Sequence, residues 1–156
     1  MANTYNLDPI SIQLYDTQKL TDIIIELSKE AAALVSDNSI ELANKVVILS
    51  DVQTIIVELL SRYELNYENA KLKADAKQAV AAKKHREDWE AEHPGEGKFP
   101  ASKYFEDLAK DDTLELWTDV NESKTMMSKF KGFRNNYETK INALKKLLSS
   151  LEAIRY

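Results

Sequence analysis

The chain has no cysteine, and its 156 residues include only three glycines and three prolines. Without thiols there is no disulfide framework, thiol nucleophile or thiolate metal site, a composition compatible with a reducing cytosol. Neither glycine nor proline occurs between Ile10 and His93. Strands joined by turns need such breakers at short intervals, so the stretch is hard to build from strands and an all-α fold is predicted. Long apolar runs are missing too. The longest, such as Val46–Leu49, fall far short of the roughly 20 residues that cross a bilayer, so no membrane partner is expected. The segment Met1 to Asn6 lacks the basic and apolar regions of a secretory leader, and a cytoplasmic location is expected. Also absent are a glycine-rich phosphate loop, a nucleophile elbow, a kinase signature and His-Glu-x-x-His or paired Glu-x-x-His spacing. The acids Glu87, Asp88, Glu90, Glu92 and Glu96 lie near His85 and His93. Glu92 and His93, however, are adjacent, and adjacent helical residues do not face the same side. The expectation is a non-enzyme with no cofactor and no metal.

What the chain does have is charge sorted by segment. Residues 1–69 sum to −7, residues 70–86 to +5, residues 87–122 to −9 and residues 123–156 to +6. The net charge of −5 therefore conceals two compact basic segments. A local cluster of cations can hold a phosphate backbone even on an acidic protein.

Hydrophobic periodicity sets the organisation. Residues 1–15 read as a loose N-terminal arm, and 16–156 as a single all-α domain. Asp16 is placed to cap a helix over 17–35, in which Leu20, Ile23, Ile24, Leu27, Ala31 and Leu34 keep three-and-four spacing. The polar run Ser36 to Ser39 reads as the turn of a helical hairpin, or alternatively as a kink in a continuous rod. A very long helix follows, over about 39–92. Its first half carries two adjacent apolar stripes: Leu42, Val46, Leu49, Ile56 and Leu60, then Ile48, Val52, Ile55 and Leu59. Such a helix needs more than one partner, and part of it is assigned to packing between subunits. Apolar packing helices thus occupy 16–62. From Tyr63 the same seam turns to alanine, tyrosine and lysine, which reads as a projecting basic helix continuing through a turn and a short helix to residue 110.

The run His93 to Pro100 holds two prolines and two glycines, and Pro94 ends the long helix. A short helix is predicted over 101–110. Asp111 and Asp112 offer caps for a last helix within 111–156, where Phe130, Phe133, Tyr137, Ile141, Leu144, Leu148 and Leu151 form a seam assigned to homo-oligomerisation. Gly132 inside that pattern weakens the helix or allows a close crossing. Lys124, Lys129, Lys131, Arg134, Lys140, Lys145 and Lys146 flank the seam and are expected to pair, across subunits or within the hairpin, with the acids of 87–122. Trp117, Met126, Met127 and Phe130 read as core packing.

The candidate site is the basic run of the long helix: Lys71, Lys73, Lys77, Lys83, Lys84, His85 and Arg86. Lys73, Lys77 and Lys84 share one broad face, with Lys83 and Arg86 at its flanks. At about 1.5 Å per residue the cluster covers several nucleotides of extended backbone. Tyr67 and Trp89, near its two ends, are candidate stacking platforms. The plainer alternative is a solvated face neutralised by Asp75 and by acids of another helix.

The stretch Gln78 to Trp89 resembles the basic helix of UvsY-type phage recombination mediators. In that family a Lys-Ala-Arg-Leu motif contacts DNA, and a glycine-rich turn, a Phe and a Tyr five residues later follow it. Gly95, Gly97, Phe99 and Tyr104 reproduce that order, and the likeness runs over about residues 70–150. The motif positions fall on Lys83, Lys84, His85 and Arg86, so His85 stands where the family has Arg. The resemblance implies a ring-like homo-oligomer in the bacterial host cytoplasm that binds single-stranded DNA. Its partners would be a RecA-type recombinase and a single-stranded-DNA-binding protein. An alternative from another class is a phage protein-binding module that inhibits a host defence or nuclease system through the acidic stretch 87–122. A purely structural coiled-coil component is a third.

Overall fold

Asp8, not Asp16, starts the first helix of the chain. In the computed structural model, which describes residues 5–35 and 37–154, the order is α1 (Pro9–Leu14), α2 (Thr17–Ala33), α3 (Ser39–Glu92), α4 (Ser102–Asp112) and α5 (Leu114–Ala153). No strand occurs among the described residues. Contacts divide the chain into two units, one formed by residues 1–62 with 128–156 and the other by residues 63–127. α3 and α5 each supply helix to both. The division at Tyr63 coincides with the change from apolar to Ala/Tyr/Lys composition along α3.

The first unit is a helical bundle, and its register can be read from contacts along α3. Lys45 Nζ donates to the Leu34 carbonyl, Ala31 packs with Leu49, and Arg62 Nη2 donates to the carbonyls of Ile12 and Gln13. Sequence number falls on one side as it rises on the other, so α2 runs antiparallel to α3. This is the hairpin rather than the kinked rod. Ser36 itself lies outside the described residues. Asn38 supplies the fresh cap, its Oδ1 accepting from the amide of Ile40 at 2.9 Å. The arm expected over 1–15 also needs correction. Met1 to Thr4 lie outside the described residues, but Pro9–Leu14 is helical and buries Ile12, tied down by the Arg62 bonds.

The core of this unit comprises Leu20, Ile23 and Leu27 of α2 and Leu42, Leu49, Val52, Ile55, Ile56, Leu59 and Leu60 of α3, with Phe130 and Ile141 of α5. Ala31, Leu49 and Ile141 form one cluster, flanked by Val46, Ile48, Tyr137 and Leu144. The Tyr137 hydroxyl also meets Ser28 Oγ at 3.2 Å. Both apolar stripes of α3 thus find partners inside the chain, α2 and α5. Part of the seam assigned to oligomerisation packs the same way. Phe130 and Ile141 are buried, Tyr137, Leu144, Leu148 and Leu151 half-buried, and Phe133 stands more open. These intramolecular contacts cover only part of the seam, since Phe133 is exposed and Tyr137, Leu144, Leu148 and Leu151 keep half-exposed edges.

The second unit consists of α3 from Tyr63, the turn, α4 and the start of α5. Ala74, Phe105, Ala109, Thr113 and Val120 are its buried residues. Alanines at 74 and 109 leave room for close helix approach, so the stretch expected to project has a packed face. Gly95, with φ of 78°, makes the turn after α3. Asp111 and Asp112 lie inside α4 rather than capping α5. The junction is Thr113, whose Oγ1 donates back to the Ala109 carbonyl at 2.8 Å. Among the described residues no helix is long and apolar enough to cross a membrane.

Candidate nucleic-acid interface

Helical rotation of about 100° per residue sorts the basic run into two populations around α3. Ala74, Gln78 and His85 share the packed face. Lys73, Lys77 and Lys84 lie on one flank of it, spaced by four and then seven residues, about 16 Å end to end. All three are exposed, as is Lys71. None of the four has an ion-pair partner among the described residues. Asp75 does not neutralise them.

Three of the four residues at the motif positions are engaged instead. Lys83 pairs with Glu87 one turn on, at 3.8 Å and well exposed, a contact worth little in water. His85 Nε2 meets Asp112 Oδ2 on α4. Arg86 donates from Nη2 to Ser102 Oγ at 3.3 Å, and its guanidinium lies 5.6 Å from the Phe99 ring centroid and 5.7 Å from that of Phe105. These are cation–π distances. Lys84 is the one motif position whose charge is left open.

Neither stacking candidate is a bare platform. Trp89 stacks on His93 with centroids 4.3 Å apart and meets Phe99 edge-on at 4.8 Å, so its indole belongs to the aromatic cluster that closes the turn. Tyr67 is half-buried, with no ring partner among the described residues. In the second basic segment Lys124, Lys129, Lys140, Lys145 and Lys146 have no ion-pair partner among the described residues, which leaves only pairing across subunits open to them. Lys129 sits 5.7 Å from the Phe133 centroid instead.

Several contacts were not foreseeable as such. Trp117, read as core, is half-buried and donates from Nε1 to Gln78 Oε1 at 2.8 Å. A tryptophan followed by Thr-Asp on a polar helix was the only available signal. The pairing of Ser102 with Arg86 had none, because the turn decides which α4 residue returns to α3. Among the described residues no group of three or more His, Asp or Glu side chains is arranged to hold a metal ion. No family model, curated protein or solved structure matches the chain.

Proposed function

We propose that this chain binds single-stranded DNA along the lysine flank of α3 and serves as a non-enzymatic recombination mediator. In this role it helps a RecA-type recombinase load onto strands coated by a single-stranded-DNA-binding protein in a bacterial host cytoplasm. The observation that carries the reading is the row Lys73, Lys77 and Lys84, exposed and free of carboxylate partners, with Lys71 nearby on the same helix. Three aligned ammonium groups match successive phosphates and carry no base specificity, as sequence-tolerant strand binding requires. One such row is weak by itself. Homo-oligomerisation, part of the same reading, would present several rows to one strand and multiply affinity without new contacts.

The test is a gel shift with labelled single- and double-stranded oligonucleotides over a salt series, run beside a sizing column. Replacing Lys73, Lys77 and Lys84 by Ala together should weaken single-strand binding at least tenfold and leave helix content unchanged. Undiminished binding by that variant would defeat the proposal. The acidic-module alternative draws on Asp88, Glu90 and Glu92, exposed and without ion-pair partners among the described residues. Exchanging Glu87, Asp88, Glu90 and Glu92 for Gln would abolish partner binding under that reading and leave DNA binding intact or strengthened under ours.

A further inference from the structure

The second unit contains two adjoining cavities whose common walls are Ala82 and Glu106. The first, about 450 Å3, is lined by Asp75, Gln78, Lys110 and Trp117. The second, about 280 Å3, is lined by Lys83, Arg86, Ser102 and Phe105. Their chemistry changes along the length. One end offers an indole, an amide, a carboxylate and the Lys110 ammonium. The other offers two cations and a hydroxyl, and a carboxylate stands between.

We propose that this pair of cavities takes one nucleoside monophosphate unit, either a free nucleotide or one residue of a bound strand. The base enters beside Trp117. The Nε1–Gln78 hydrogen bond holds the indole in place while leaving the Gln78 amide N–H groups available as donors. Donors from Gln78 and an acceptor at Asp75 match a ring nitrogen next to an exocyclic amine, the edge that adenine and cytosine present and uracil does not. Lys110 Nζ lies 6.0 Å from the Trp117 centroid, at the outer limit of a cation–π contact, so a stacking base displaces little. Glu106, at the shared wall, faces the sugar and accepts from its hydroxyls. Arg86 meets the phosphate with the guanidinium N–H groups that Ser102 does not use, and Lys83 adds charge once released from its exposed pair with Glu87. The site is separate from the row Lys73, Lys77 and Lys84 and does not require it.

The experiment uses the full chain with Trp89→Phe, which leaves Trp117 as the only indole, since the chain has two tryptophans. Emission is followed on titration with AMP, UMP, inorganic phosphate and an oligo-dA strand. A saturable change with AMP that exceeds the change with UMP, is competed by phosphate and weakens about tenfold in Arg86→Ala supports a free-nucleotide site. A change with the strand alone, lost in Gln78→Ala, supports a strand residue as the occupant. Circular dichroism establishes that each variant keeps its helix. No saturable change with either probe, or one that persists undiminished in both Arg86→Ala and Gln78→Ala, overturns the site. Gel shifts through the lysine row are read separately, so failure here leaves that proposal standing, and failure there leaves the AMP titration decisive.

Discussion

Asp8 does the work of an entire turn. Its Oδ1 accepts from the amides of Ile10 and Ser11, each at 3.0 Å, its Oδ2 accepts from Ser11 Oγ, and Pro9 follows with φ preset for a first helical position. These bonds, led by that from the Ser11 backbone, hold the carboxyl below its ordinary value of 3.8. A folded-state pKa lowered in this way contributes stability above the unfolded value and loses it as pH falls through the folded one. Acidification below about pH 3.8 is therefore expected to release α1 ahead of the core. Amide exchange at Ile12 and Ser11, followed against pH, checks this. In Asp8→Ala those amides should exchange quickly at every pH.

At the scale of the helix, two glycines make opposite predictions. Gly132 sits in the middle of α5, and a Cβ built there meets nothing within 4 Å. It is not a close crossing, only a weak point in the helix. Gly132→Ala should raise stability by about 0.5–1 kcal/mol, measured by urea unfolding. Gly95 also has open space around it, but its φ of 78° lies in the left-handed region. Gly95→Ala should cost about 1 kcal/mol and loosen the cluster of Trp89, His93 and Phe99 that the turn assembles. Near-ultraviolet circular dichroism of the two tryptophans reports the loosening directly. The contrast shows that a glycine matters through its backbone angle here, since neither is needed for space.

For the molecule as a whole, the relevant quantity is how many cations one strand engages. The chain is acidic, at −5 overall, and only part of its basic run is free of partners. If three lysines each displace counterions from a single strand, log affinity should fall against log salt with a slope near −2, and each Lys→Ala should make it shallower by about 0.7. Where the strand engages only the lysine row and not the cavity beside Arg86, Arg86→Ala should change that slope less than Lys84→Ala, because the Arg86 charge already rests against Phe99 and Phe105. Equal slopes for the two variants would place both on the strand.

Much of this was legible from local chemistry. Absence of glycine and proline dictated the 54-residue α3, and its bounds at Ser39 and Glu92 follow from Asn38 as a cap and Pro94 as a breaker. Three-and-four spacing marked Leu20, Ile23, Leu27, Leu49, Leu59 and Ile141 as buried, because a helix has one period and burial follows it. Periodicity states which face is apolar but not what covers it. Hence the α5 seam read as a subunit interface, while Ala31 of α2 and Leu49 of α3 already pack on its Ile141 within the chain. Charge behaves likewise. Composition counted Lys83, His85 and Arg86 with Lys73, Lys77 and Lys84. Only the return of α4 and its turn, bringing Asp112, Ser102, Phe99 and Phe105 alongside, separated the engaged cations from the open ones. Residues distant in sequence made that distinction, and no local pattern encodes them.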